Sequence, residues 1–189
     1  MIDREQLVEL LFRRRTDQIF VLTNSPVKEW ANYPPNDLDI FVGGCMGYVP
    51  SISLGLALAQ PNRKVVALDG DGSLLMNLGT LVTLANYGPA NLVYCVLENG
   101  AYELSGPAPL PGKGTVSLVD IAKGAGVKRV HVFDDLSEVS ECLGGLLSEP
   151  GPMFISFRMR AGASEPGKMI QAAKTSMERI RNLERALSS

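Results

Sequence analysis

The chain has 189 residues, close to one domain at a prior of roughly 150, and 46% of them are hydrophobic, enough for a sizeable core. With 20% charged residues, that composition excludes a disordered chain. A net charge of −2 leaves no basic footprint and speaks against nucleic acid as a ligand. No apolar run nears the ~18 residues of a membrane span, and the opening Met1-Ile2-Asp3-Arg4-Glu5 is unlike a signal peptide. Cys45, Cys95 and Cys142 lie tens of residues apart, a spacing that fits neither a disulfide framework nor a zinc or iron–sulfur site. A cytoplasmic protein without membrane contact is expected.

Asp3 with Gln6 resembles a capping box, and the spacing after it predicts a helix through about Arg15, with Arg13-Arg14-Arg15 at its C-terminal end. Gln18 to Leu22 reads as a short buried strand ending in the polar loop Thr23-Asn24-Ser25-Pro26. Leu38 to Val42 reads as a second strand, running into Gly43-Gly44-Cys45-Met46-Gly47. A helix over Ser51 to Gln60 and a strand over Arg63 to Leu68 follow, then Gly70-Asp71-Gly72-Ser73. Leu74, Leu78, Leu81 and Ala85 recur at helical spacing, predicting one helix through about Ala85. Asn91 to Leu97 is a core-type strand ended by Glu98-Asn99-Gly100, and the Gly- and Pro-rich stretch from Ser105 to Thr115 reads as loop. Beyond it come a helix (Ser117 to Ala125), a strand (Arg129 to Phe133), a helix (Leu136 to Leu147), a strand (Met153 to Phe157) and one long helix over Gly167 to Leu187.

Alternating helices and near-continuously apolar strands predict an α/β fold, a doubly wound, mostly parallel sheet with helices on both faces. The expected organisation is a main domain over residues 1–160 and a helical tail over 161–189. Ligands of such sheets bind beyond the carboxyl ends of the strands, where the turns near residues 43–47, 70–73 and 98–101 should meet. At Gly70-Asp71-Gly72-Ser73 the glycines let backbone approach a ligand, and a helix N-terminus suits phosphate. An aspartate there, expected at a solvent-facing strand end, would repel bare phosphate unless a divalent cation bridged the two. Asn99, 26 residues after Ser73, offers a second hard oxygen suited to Mg²⁺.

On these residues the chain resembles the thiamine diphosphate-dependent enzymes, whose signature is a Gly-Asp-Gly followed at such a distance by Asn. The resemblance covers about residues 15 to 160 and corresponds to the diphosphate-binding (PP) domain of those enzymes. Gly43-Gly44-Cys45-Met46-Gly47, Ser51 to Leu58 and Gly70 to Leu81 look most like the β-subunits of sulfopyruvate decarboxylase, and phosphonopyruvate decarboxylase is similar. The resemblance implies Mg²⁺ held by Asp71, the Asn99 side chain and the carbonyl of Ala101. It implies the diphosphate of thiamine diphosphate at Gly70, Gly72, Ser73 and the amide near Leu104, with Asn24 and Ser25 beside them. Met46 would lie beneath the cofactor's rings, and the Gly44 carbonyl would accept from the pyrimidine amino group. The activating glutamate of this family comes from a pyrimidine-binding (PYR) domain, for which 189 residues leave no room. The resemblance therefore implies half of a split 2-oxoacid decarboxylase and a partner α-subunit of PYR type. Self-association as a homo-oligomer is also expected, because surfaces meant for a partner would otherwise expose apolar area to water.

The chain departs from the family at Glu98, where Asn is usual, and at Glu103-Leu104-Ser105-Gly106-Pro107-Ala108-Pro109, which lacks the usual Gln and Thr. Glu98 is expected to cap its turn. Glu103 is placed on the reaction face. His131 is expected to be structural, in a core strand away from the turns, and Cys45 a small filler. Trp30 with Tyr33-Pro34-Pro35 reads equally as a partner surface or a packed connection. Two other functions stay open. One is a non-catalytic cofactor-binding or regulatory subunit. The other is a Rossmann-type nicotinamide site, against which Leu75 stands where that fingerprint needs its third glycine. A P-loop fails, because Gly114 follows Lys113 where Ser or Thr is required.

Overall fold

The computed structural model describes residues 1–23, 25–103, 108–160 and 176–188. Strands β1 (Ile19–Thr23), β2 (Asp39–Val42), β3 (Val65–Gly70) and β4 (Leu92–Glu98) belong to one six-stranded sheet. A two-stranded ribbon, β5 (Ala101–Tyr102) with β6 (Ala108–Pro109), follows, and β7 (Arg129–Phe133) and β8 (Met153–Arg158) complete the main sheet. The order is β2-β1-β3-β4-β8-β7, with every pairing parallel, as the apolar strands predict.

Period-two alternation sends successive strand residues to opposite faces. Phe20, Leu22, Val66, Leu68, Val93 and Cys95 pack one way, under α1 (Arg4–Arg14), α2 (Ser25–Trp30) and α7 (Leu136–Ser148). Ile19, Val21, Val65, Ala67, Tyr94 and Val96 pack the other way. They lie against α3 (Val49–Ala59), α4 (Asp71–Leu75), α5 (Gly79–Tyr87), α6 (Leu118–Gly124) and α8 (Ser176–Ser188), the last reaching the core through Leu183. Residues 167–175 of the long tail helix expected from the sequence lie outside the described residues.

Three expected elements change. The polar loop after β1 is, from Ser25 on, the six-residue helix α2, since proline is tolerated in a first helical turn. The helix expected from Leu74 to Ala85 is two helices, broken at Met76–Leu78. There the Asn77 side-chain amide donates to the Gly47 carbonyl at 3.1 Å, so the chain turns to meet the 43–47 loop. Finally, Ala108 and Pro109, read as loop, pair antiparallel with Tyr102 and Ala101.

The strand order reverses at β1 and β3, so the chain leaves these neighbours in opposite directions and opens a crevice at their carboxyl ends. Ser25 follows β1 there, and Gly70–Ser73 ends β3. Ile2 bridges Met159, just past β8, with its N–H on the Arg158 carbonyl at 2.9 Å. That bridge brings the start of α1 to the same end of the sheet.

Candidate cofactor site

A cavity of about 220 Å³ occupies this crevice, lined by Ser25, Met46, Gly70, Asp71, Gly72, Ser73, Asn99 and Ala101 of the residues singled out in the sequence. Arg4, Leu97, Tyr102, Glu103 and Met159 complete its wall. Three turns separated by tens of residues therefore meet in one place. Gly44 is not on the wall. It is exposed, with φ +69°, two residues before Met46. Asn24 and Leu104 lie outside the described residues.

Asp71 is 2% exposed, so it is buried rather than solvent-facing. Its Oδ1 accepts from the N–H of Gly72 at 2.8 Å and its Oδ2 from that of Gly100 at 2.7 Å, tying the end of β3 to the turn after β4. Burial outweighs these bonds and pushes its carboxyl up to about 6. A carboxylate short of compensation, facing a cavity, suits a cation. Asn99 Oδ1 accepts from the Ala101 N–H at 2.8 Å, which fixes the side chain against the same wall. Asp71 and Asn99 also line a second cavity of about 210 Å³ with Glu98 and Lys113, so both stand on the partition. One carboxylate, one amide oxygen and a nearby backbone carbonyl are the hard, sparse donors that Mg²⁺ accepts when phosphate oxygens supply the rest.

Gly70 and Gly72 differ in purpose. A Cβ on Gly70 would meet nothing within 4 Å, so its surface is open to the cavity. A Cβ on Gly72 would lie 2.6 Å from Tyr102 Cε1, so this glycine exists to admit the tyrosine ring. The α4 helix that carries Gly72 and Ser73 is only five residues long, a weaker anion site than the long helix expected. Ser73 is 2% exposed. Its Oγ accepts the Gly47 N–H at 2.9 Å and hydrogen-bonds to Asp69, clamping the 43–47 turn to the end of β3. Asp69 in turn accepts from the Tyr94 hydroxyl at 2.7 Å.

The remaining candidates separate from the cavity. Cys45 is exposed and lines an apolar groove of about 650 Å³ between α8, β2 and α3, away from Met46. Glu98 Oε2 accepts from Ser156 Oγ of β8 at 2.7 Å, a bond between strands rather than a cap of its own turn. His131 is half-buried on the edge strand β7, stacked beside Phe133, rather than in a core strand. Trp30 is packed: it is 2% exposed and its Nε1 donates to Asp39 Oδ2 at 2.9 Å. Arg15 forms an ion pair with the same carboxylate at 2.7 Å.

Sequence reasoning missed Arg4, whose guanidinium donates to Glu29 Oε1 at 3.0 Å and to Glu103 Oε2 at 2.6 Å. One signal existed: a positive charge in the first turn of a helix opposes the dipole and needs an acidic partner from elsewhere. Glu103 is 7% exposed and engaged by Arg4 and Ser25.

Comparison with known proteins gives the family. Residues 27–157 match the thiamine pyrophosphate enzyme, C-terminal TPP binding domain. The chain belongs to that family, and the nicotinamide reading falls with it. Among relatives, it is 32% identical over 166 residues to the sulfopyruvate decarboxylase subunit beta of Methanothermobacter thermautotrophicus, covering 87% of this chain and 86% of that one. It is 35% identical over 145 residues to the phosphonopyruvate decarboxylase of Streptomyces hygroscopicus, covering 75% of this chain but 35% of that protein, about a third of its length. The fold matches that of the thiamine diphosphate-dependent 4-hydroxybenzoylformate decarboxylase of Rhodococcus jostii, with TM-score 0.72, 22% identity, 86% of this chain and 33% of that one. Among the described residues no helix is long and apolar enough to cross a membrane.

Proposed function

We propose that this chain is the diphosphate- and Mg²⁺-binding half of a split, cytoplasmic 2-oxoacid decarboxylase of the sulfopyruvate or phosphonopyruvate type, completed by a PYR-domain α-subunit. The observation that carries the reading is the meeting of Asp71, Asn99 and Ala101 with Ser25 and Gly70–Ser73 on one cavity wall. The 86% coverage of a protein named as a beta subunit supports the split.

In this reading Asp71, Asn99 Oδ1 and the Ala101 carbonyl hold Mg²⁺. The open surface at Gly70, with Gly72, Ser73 and Ser25, receives the diphosphate. Met46, half-buried in the wall, would offer the rings an apolar surface, and the Gly44 carbonyl, exposed outside that wall, would accept from the pyrimidine amino group. Thiamine diphosphate, when bound, supplies the electron sink for loss of carbon dioxide from a 2-oxoacid. The chain's own part is to fix the metal end, orient the rings and keep water from the reacting face with Leu97, Tyr102 and Met159. In the free chain the Glu103 carboxylate lies against Arg4 and Ser25, and the activating acid is left to the partner.

The test is a steady-state assay on sulfopyruvate, phosphonopyruvate and pyruvate with Mg²⁺ and thiamine diphosphate. The isolated chain should show no detectable decarboxylation and should gain it when the α-subunit is added. Robust turnover by the chain alone, lost in Glu103→Gln, overturns the split. Absence of Mg²⁺-dependent thiamine diphosphate binding by calorimetry overturns the site.

A further inference from the structure

Arg4 has no part in the cofactor reading, yet its guanidinium stands on the cavity wall between two carboxylates. Its side chain is 10% exposed, and that of Glu103 is 5% exposed. Glu103 Oε2 receives two donors at once, Arg4 Nη1 at 2.6 Å and Ser25 Oγ at 2.9 Å. Arginine and hydroxyl donors converging on one oxygen are the groups that recognise phosphate-type anions, and the carboxylate oxygen stands where such an anion's oxygen would lie. The other carboxylate has room for a rearrangement. Glu29 Oε1 accepts from Arg4 Nε at 3.0 Å, while Oε2 is buried with no hydrogen-bond partner among the described residues. A guanidinium released by Glu103 keeps Glu29 as its anchor.

We infer that Arg4 and Ser25 form a seat for a tetrahedral oxyanion, and that the Glu103 carboxylate occupies this seat until the anion displaces it. The inference rests on the cofactor reading of the cavity given above and deepens it. Two groups share the required chemistry: the diphosphate of the cofactor, and the phosphonate or sulfonate tail of an anionic 2-oxoacid. In either case Glu103 competes, because a carboxylate beside the seat repels the incoming anion and holds its donors.

Titration calorimetry on the full chain separates the possibilities. One arm uses inorganic diphosphate with Mg²⁺. The other uses phosphonoacetate, an unreactive dianion, on chain saturated with Mg²⁺ and thiamine diphosphate. Glu103→Gln, which removes the competing charge, should tighten one of the two ligands on the order of tenfold, the size of a charge-assisted hydrogen bond. Arg4→Lys, which keeps the charge and loses the fork, should weaken the same ligand by a similar factor. Tightening of diphosphate assigns the seat to the cofactor, and tightening of phosphonoacetate alone assigns it to the substrate. Thermal melts verify folding, and if Arg4→Lys fails to fold, Glu103→Gln alone decides. A wild type that binds Mg²⁺ and thiamine diphosphate, with neither ligand tightened by Glu103→Gln, overturns the seat and leaves the cofactor site standing. A wild type that binds no thiamine diphosphate overturns both.

Discussion

Gly72 and Tyr102 meet across a space that only a hydrogen atom fits. A Cβ at residue 72 would lie 2.6 Å from Tyr102 Cε1 and 3.0 Å from Leu110 Cδ2. The ring that closes one side of the cavity therefore reaches its place because the middle of the Asp71-Gly72-Ser73 turn has no side chain. Gly72→Ala should push Tyr102 outward and cost about 1–3 kcal/mol, the usual penalty of overpacking. Denaturant unfolding measures the loss, and thiamine diphosphate affinity should fall with it. An unchanged midpoint would show that the ring moves without cost.

Asp71→Ala should abolish Mg²⁺-dependent thiamine diphosphate binding. Because the carboxylate is buried and accepts from Gly72 and Gly100, the substitution should also cost about 1–3 kcal/mol by leaving those N–H groups unpaired. Calorimetric titration and denaturant unfolding read the two effects separately. Undiminished cofactor affinity removes Asp71 from the metal site.

The pH dependence of the metal-free chain follows from its buried carboxyls. Burial pushes both Asp69 and Asp71 up to about 6 from 3.8, against hydrogen bonds that pull them down. Between these values the folded chain holds protons that the unfolded chain has released, so stability falls as pH rises through the window and the loss is complete above about 6. With a chelator present, unfolding near pH 5 should release on the order of one to two protons. Unfolding enthalpies in buffers of different ionisation heat give that number. Proton uptake on unfolding, or none, contradicts the burial argument.

Met46→Ala, tested with the partner subunit present, should lower turnover more than cofactor affinity. In the proposed site the diphosphate end is held by other residues, whereas Met46 contributes an apolar surface to the wall. A loss confined to cofactor affinity, with turnover unchanged at saturation, would make Met46 a simple binding contact.

Asp39 is a stability node away from the cavity. It is 1% exposed, receives Trp30 Nε1 and Arg15 Nη1, and its carboxyl is raised because burial outweighs both partners. Asp39→Ala should cost about 3–5 kcal/mol by stranding Arg15, itself buried under Phe20. Asp39→Asn, which keeps an acceptor for Trp30 but strands Arg15 in the same way, should cost nearly as much. A much smaller loss for Asn in chemical denaturation would show that the Trp30 hydrogen bond, not the charge, matters.

The parallel sheet and the gathering of its glycine turns were legible from residue types and their spacing alone. Uninterrupted apolar runs such as Leu92–Leu97 can be buried only with both faces covered, and parallel strands place their following turns at one end. Gly70-Asp71-Gly72 and Asn99 were legible for the same reason, since their meaning lies in local residue type and one spacing. The rest depended on how distant segments pack. His131 lies on an edge because β8 returns between β4 and β7, a pairing that no local pattern in Arg129–Phe133 records. The helical period after Ser73 continued across Met76–Leu78, but Asn77 spends its amide on Gly47, 30 residues earlier, and the helix breaks. Arg4 faces Glu103 across 99 residues because Ile2 bridges Met159. Burial of charge depends on which distant segments exclude water together, and that is set by packing rather than by neighbours in the chain.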